Sequence, residues 1–295
     1  MLNSIISIIN TMLMYSAPLV FGAMGGVISE NSGVINVGIE GMMTFGAFVG
    51  AAVGFYLQNP WLGLLAGGVA GAVLALLHAV AAITFKADQT ISGIALNFIG
   101  PGMAMFFCRL FFNDKTTTDR IANKLPKVYE FVDITVVIAF FVMIIMCFIL
   151  YKTKFGLRIR AVGEHPAAAD TLGINVTKVR YASVIVSGIL SGLGGAAMTL
   201  SVVSQFTPTA ISGQGFIALA AVIFGKWKPH GAYGACLLFA FAQALAVTFG
   251  GGRIAVPSEI LNMLPYILTI VVLILFVGKS MAPSANGKSY KKGTR

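Results

Sequence analysis

The chain has 295 residues, of which 57% are hydrophobic and only 10% are charged, and its formal net charge is +10 at pH 7. Soluble globular domains carry charge on about a quarter of their residues, so this composition excludes a soluble protein and leaves no room for a separate soluble catalytic domain. A span needs roughly 20 apolar residues, so we expect an all-α, polytopic membrane protein with about eight to ten spans, in which basic residues determine topology and do not bind nucleic acid.

Apolar segments predict the spans in chain order. They lie at 4–24, 40–57, 61–85, 91–112, 131–151, 181–204, 215–226, 231–249 and 259–278. The 215–226 segment is too short to cross alone, so it is either a half-span or the end of a longer tilted helix. We expect no cleaved signal peptide, because residues 1–24 contain no Lys or Arg.

Basic loops predict the orientation. The long polar loop 152–180 is cytoplasmic by the positive-inside rule, and so are the turn 226–230 and the tail 279–295. Parity then puts the N-terminus outside. The remaining loops, 113–130, 205–214 and 250–258, also fall outside, the first of them against its own basic residues.

Several interruptions of the apolar pattern suggest internal structure. Residues 29–41 are polar and glycine-containing, so they form either an ordinary loop or irregular backbone folded into protein at membrane depth. Glycines recur at every fourth position in the next two spans, which predicts closely packed helices. The members are Gly46, Gly50 and Gly54, then Gly63, Gly67 and Gly71.

Polar side chains inside spans are costly and therefore mark candidate sites. They are His78, Asn97, Arg109 and Gln243, with Gln205 and Gln214 in an outer loop. The Gly100-Pro101-Gly102 run after Asn97 is expected to break its helix and open a cavity. For the Asn and Gln residues, an interhelical hydrogen bond is the alternative role. His78 and Arg109 lie near span ends, where the alternative is that they snorkel or pair.

Sequence signatures of catalysis are missing. No HExxH motif occurs, the cysteines have no CxxC spacing, and neither GKS triplet has the earlier glycine of a phosphate loop, so we predict no catalytic residue and no metal site. Few acids are placed for burial within spans: Glu30, Glu40 and Asp88. The chain is therefore predicted to form a pathway that has no energy source of its own.

The polar loop contains a predicted short surface helix. Pro166 suits the first helical position, the alanines that follow favour helix, and Gly173 suits the position after the end. This helix has no apolar stripe of its own, so we expect it to need something to dock against.

Four separated motifs carry a resemblance to a known family. They are SENSGVINVGIEGMM (29–43), ADQTISGIALN (87–97), GLRIRAVGEHPAAADTLGINV (156–176) and GFIALAAVIFGKWKPHGAYGA (215–235). With these motifs the chain resembles the permease subunits of bacterial ABC importers of the branched-chain amino acid and ribose group, and most closely the nucleoside-type branch.

The resemblance implies a type II importer fold and a single transmembrane permease domain over residues 1–295, in the bacterial plasma membrane. It implies a second, homologous permease (the same chain or a different one), an extracytoplasmic binding protein and ATP-binding partner subunits. Those subunits hold ATP and Mg²⁺, so this chain needs no cofactor. The implied ATPase-coupling positions are Gly163, Glu164, His165, Pro166, Ala168, Asp170 and Gly173.

The substrate implied is a purine or pyrimidine nucleoside. Side chains that offer hydrogen bonds or aromatic faces along the path are Asn97, Phe98, Gln205, Phe206 and Gln243. A permease for ribose or a branched-chain amino acid remains an alternative, and a transporter that acts alone is an alternative from a different class.

Overall fold

The computed structural model describes residues 2–129, 132–250 and 282–291, together with positions 263, 267, 270 and 271. This part of the chain is all-α, as predicted, apart from a short antiparallel ribbon of β1 (Lys127–Tyr129) and β2 (Val132–Asp133). The helices are α1 (Leu2–Asn31), α2 (Ile39–Tyr56), α3 (Pro60–Ala79), α4 (Gln89–Phe111), α5 (Ile134–Lys152), α6 (Lys154–Glu164), α7 (Pro166–Thr171), α8 (Val176–Ala197), α9 (Gln214–Phe224) and α10 (Pro229–Gly250). The π-helical segments Val80–Thr84 and Met198–Val203 extend α3 and α8.

Seven segments of the described chain are helical, apolar and long enough to span a membrane. They are Ile5–Asn31, Ile39–Tyr56, Pro60–Thr84, Gln89–Phe111, Ile134–Lys152, Val176–Val203 and Pro229–Thr248. The chain is therefore a multi-pass membrane protein, as predicted. The predicted span at 259–278 lies outside the described residues, apart from the four isolated positions.

Two span boundaries were predicted wrongly from hydropathy. Helix α1 continues to Asn31 instead of ending at 24, and α8 begins at Val176 instead of 181. The early start of α8 has a local cause, because the Asn175 side chain accepts a hydrogen bond from Lys178 N (2.9 Å) and caps the first turn. The polar loop between α5 and α8 is correspondingly shorter.

Glycines bring α2, α3 and α8 into backbone contact at the centre of the bundle. A Cβ on Gly67 would lie 2.5 Å from Ala196 Cβ, and one on Gly71 would lie 2.1 Å from Gly188 O. A Cβ on Gly46 would lie 2.6 Å from the α8 backbone. Such distances exclude any larger side chain, so the predicted close packing of the glycine registers is confirmed.

Of residues 29–41, the first three end α1 and the last three begin α2, so the irregular backbone is the turn 32–38, which is mostly buried within the protein. The side chains of Ser29, Ser32 and Asn36 are fully buried. Asn36 Nδ2 donates to Ser187 Oγ on α8 (2.9 Å), and a ring nitrogen of the buried His78 is 3.0 Å from Ile35 O. Side chains from other helices thus satisfy polar groups that the turn leaves unpaired.

The predicted break at Gly100-Pro101-Gly102 is wrong, because α4 runs without interruption from Gln89 to Phe111. Proline removes only one backbone donor, and a helix packed among others tolerates that loss. The flanking Gly100 has a different role: a Cβ there would lie 2.2 Å from Gly41 O, so this glycine permits close contact between α4 and α2.

The two ends of the bundle are distinct. At the end that we call the basic end, the tail at 282–291 meets the loop between α5 and α8, and Ala285 N donates to Gly163 O (2.8 Å). At the opposite end, Tyr56 Oη donates to Phe111 O (2.6 Å) and Phe206 N donates to Thr118 Oγ1 (2.9 Å). The tail and the polar loop therefore share one side, as predicted.

Candidate functional site

The loop at the basic end contains two helices. The predicted one is present as α7, with Pro166 in its first turn and Gly173, at φ +80°, in the left-handed conformation after its end. The other, α6, was not predicted. It is amphipathic, begins where Thr153 Oγ1 accepts from Gly156 N (3.1 Å), and buries Ile159 against the bundle.

The predicted coupling positions divide by exposure. Glu164, His165, Ala168 and Gly173 are exposed, and Pro166 and Asp170 are half-buried. Leu172, which follows the last residue of α7 and is not among the predicted positions, is 81% exposed. A signal was present in the sequence, since Leu172 is the one large apolar residue between 164 and 173. Together, α7 and Leu172 present a small apolar surface at the basic end.

Gly163 does not belong to that surface. It is buried, and a Cβ there would lie 2.0 Å from Asn31 O at the end of α1. Its own carbonyl accepts the hydrogen bond from Ala285 of the tail. Gly163 therefore joins α6 to the end of α1 and to the tail.

The tail crosses the ends of several helices. Ser284 Oγ donates to Glu164 Oε2 (2.8 Å), and the buried Arg180 donates from Nη1 to Lys288 O (2.9 Å). Tyr290 hydrogen-bonds to Asp170 of α7; burial and this hydrogen bond both raise the pKa of the Tyr290 phenol. Residues 282–291 thus hold α6, α7 and α8 together at the basic end.

Helix α9 is a separate half-length helix, so the half-span alternative is the observed one. It has 11 residues, equivalent to about 16 Å. Its N-terminus is held by Glu40 of α2: Oε1 accepts from Gly213 N and Oε2 from Gly215 N, each at 2.7 Å. A carboxylate at this position satisfies donors that the first turn of a helix leaves unpaired.

The other end of α9 reaches the basic end. Trp227, just beyond it, donates from Nε1 to Glu30 Oε2, and Asn31 Nδ2 donates to Trp227 O (2.9 Å). Asn31 is also the residue against which Gly163 packs. The contacts therefore form a continuous path from Glu40 along α9 to the helices of the polar loop.

A cavity of about 480 Å³ lies at the start of α9. It is bounded by helices α1, α9 and α10 and by the segment between α8 and α9. Its lining residues are Tyr15, Met198, Val203, Thr207, Thr209, Ala210, Ile211, Ser212, Gln214, Ile217, Gln243, Ala246 and Val247. The volume falls within the range of about 300–1,000 Å³ that is usual for small-molecule sites.

Of the five predicted substrate-path residues, Gln243 lines this cavity. Phe206 is fully buried near the opposite end, where it packs edge-on against Phe48 with ring centroids 5.5 Å apart. Gln205, its neighbour, is half-buried and is not among the lining residues. The polar residue that sequence reasoning assigned only to an outer loop, Gln214, lines the cavity instead.

The other two predicted path residues lie on α4, away from the cavity. Asn97 accepts from Gly41 N (2.9 Å) and donates to Val37 O (3.0 Å), so it joins α4 to the start of α2. This is the interhelical hydrogen bonding that was the alternative role. Phe98 is 77% exposed on the outer face of α4.

The described residues offer no site for metal chemistry. They contain no group of three His, Cys, Asp or Glu side chains placed to hold an ion. All three cysteines are in this part of the chain, and each is a free thiol, with Cys108 and Cys236 buried in the apolar core. The polar atoms of the cavity can therefore bind or orient a ligand by hydrogen bonding.

Comparison with known proteins gives full-length similarities. The family model described as the permease component of a branched-chain amino acid transport system matches residues 8–273. The chain is 46% identical to the guanosine ABC transporter permease protein NupQ of Bacillus subtilis, over 98% of this chain and 97% of that protein. It is 41% identical to the nucleoside ABC transporter permease protein NupC of Lactococcus lactis, over 98% of each. It is 26% identical to the guanosine ABC transporter permease protein NupP of Bacillus subtilis, over 94% of this chain and 82% of that protein.

Proposed function

Because the chain belongs to the family of branched-chain amino acid transport system permease components, we propose that it is the membrane-spanning permease subunit of an ABC importer for nucleosides. One observation carries the substrate class: the chain is 46% and 41% identical, over nearly its whole length, to permeases named for guanosine and for nucleosides. The chain is a permease and not an enzyme.

We place the ATP-binding subunits at the basic end, which the positive-inside rule makes cytoplasmic. The exposed part of α7, from His165 to Leu172, is the docking surface, and ATP and Mg²⁺ are bound by those subunits. Gly163 supports this surface from within. The assembly lies in the bacterial plasma membrane, and an extracytoplasmic binding protein delivers the nucleoside to the opposite end.

The pathway also needs a second permease. Bacillus subtilis has two guanosine permease proteins that resemble this chain, at 46% and 26% identity. This difference supports a heteromeric pair in which the partner is a more distant homologue of this chain. Each permease would then supply half of the pathway between the two ends of the assembly.

Energy reaches the pathway through α9. When ATP binding moves the docked surface, α6 moves with it, and the Gly163 contact transfers that movement to the end of α1. Asn31 and Glu30 hold Trp227, so α9 and the loop that Glu40 holds at its start follow. The cavity at the start of α9 would thereby change access from one side to the other.

Uptake by reconstituted vesicles tests the proposal. The vesicle membrane contains this chain and its partner permease. The ATP-binding subunits are on one side of the membrane, and the binding protein and labelled guanosine are on the other. We expect guanosine uptake that requires ATP on the side of the ATP-binding subunits and that other nucleosides inhibit by competition. Competition by ribose or leucine alone would reject the substrate class. Uptake driven by an ion gradient without the ATP-binding subunits would reject the ABC mechanism.

A further inference from the structure

The cavity at the start of α9 contains two carboxamide oxygens for which the described part of the chain provides no hydrogen-bond donor. Gln214 is only 4% exposed, and among the described residues neither its Oε1 nor Gln243 Oε1 has a hydrogen-bond partner. The two side chains come from different helices and line the same cavity. A buried acceptor that lacks a donor is costly, so two such acceptors in one cavity indicate a place for donors from a ligand.

The rest of the lining defines which ligand fits. None of the described lining residues is Asp, Glu, Lys or Arg. An amino acid zwitterion or a phosphate would therefore lose its hydration without gaining an opposite charge, which is a large cost in a buried site. The apolar lining from Met198, Ile217 and the Tyr15 ring suits a flat, neutral body.

The backbone that carries Gln214 is held in position. Gln214 N donates to Ile211 O (2.9 Å), and the glycines on either side of Gln214 donate to Glu40. The backbone turns sharply here because Gly213 has φ +90°, a conformation that glycine adopts without strain. The Gln214 side chain therefore projects from a fixed backbone, which reduces the entropy lost when a ligand binds.

We propose that this cavity is a nucleobase subsite in which Gln214 and Gln243 accept hydrogen bonds from N–H groups of the base. This inference rests on the proposed function and goes further, because it assigns recognition to the base and not to the ribose. The guanine base, for example, carries a ring N–H and an exocyclic amino donor on one edge, and it has a flat π-face. The cavity offers acceptors and an apolar lining to match.

Replacing each glutamine by methionine tests the assignment in the complete importer. Gln214→Met and Gln243→Met keep the approximate size of the side chain and remove the acceptor, and Gln205→Met is the matched control outside the cavity. We expect the KM for guanosine to rise about tenfold in each cavity variant, equal to about 1.4 kcal/mol, with kcat within about twofold. The control should retain the KM of the unmodified importer.

Ligand analogues separate base recognition from ribose recognition. The unmodified importer should prefer guanosine to 1-methylguanosine, which lacks the ring N–H, and the cavity variant that lacks the acceptor of this N–H should lose that preference, so at least one of the two variants should show the loss. Preference for guanosine over its 2′-deoxy form should not change. Unaltered discrimination against the methylated base, or altered discrimination at the ribose, would overturn the proposal.

Thermal unfolding provides a readout that does not depend on transport. Without nucleoside, removal of an unsatisfied buried acceptor should leave the melting temperature of each variant equal or higher, because a desolvation penalty is relieved. Guanosine should stabilise the unmodified complex and should fail to stabilise the cavity variants. Equal stabilisation of all forms would overturn the subsite alone, whereas an unmodified importer that transports no nucleoside would overturn the proposed function.

Discussion

Truncation of Leu172 to alanine should weaken the docking of the ATP-binding subunits. Leucine to alanine removes roughly three methylene equivalents, each contributing about 0.8 kcal/mol when buried. Because Leu172 is 81% exposed in the free chain, most of that contribution is still available to a partner. The expected loss is about 2 kcal/mol per docked copy, or roughly 30-fold in affinity.

The assay is titration of the purified permease pair with ATP-binding subunits, read as the concentration needed for half-maximal stimulated ATP hydrolysis. Leu57→Ala is the control, since Leu57 also ends a helix, is 57% exposed and lies at the opposite end. It should have no effect on that concentration. If both variants titrate like the unmodified pair while the permease stays folded, α7 is not the docking surface that we propose.

Three further variants test contacts inside the bundle. Gly163→Ala should lower the melting temperature, because the added Cβ would lie 2.0 Å from Asn31 O. Gly102→Ala is the control and should leave the melting temperature unchanged, because a Cβ there would meet no neighbouring segment within 4 Å. Equal melting temperatures of the two variants would contradict the Gly163 contact. Glu40→Gln should lower the free energy of unfolding by about 3 kcal/mol and abolish uptake, because the two ends of an amide cannot both accept from the N–H groups at the start of α9. Normal uptake by this variant would refute the proposed movement of α9. Asn97→Ala should lower stability by about 2 kcal/mol without changing the guanosine KM, and a raised KM would return that residue to the substrate path.

Much of the fold was predictable because its signals are local in sequence. Apolar length identifies the spans, and glycines at every fourth position identify the contacts of α2 and α3 with α8. Helix α7 was predictable from Pro166 and Gly173, whose backbone preferences apply wherever they occur. Helix α6 was missed because its buried side chains, including Ile159, alternate with basic residues, so that its average hydropathy does not distinguish it from a loop.

The candidate cavity was less predictable because it depends on contacts between distant parts of the chain. Gln214 reads as a loop residue, since it stands between two apolar segments and nothing local shows that the chain turns back into the bundle. That turn is held by Glu40, whose partners lie far along the sequence. Asn97 shows the converse, because a polar residue within a span indicates a hydrogen bond without revealing whether its partner is a ligand or another helix.

The position of the tail in the chain has a consequence for synthesis. Residues 282–291 leave the ribosome after all seven described spans, yet they complete the contacts of Glu30, Gly163 and Arg180. The surface that we propose for docking of the ATP-binding subunits is therefore completed last. We expect a nascent chain released before residue 282 to insert its spans without forming this surface, so that incomplete permeases would not enter transport complexes.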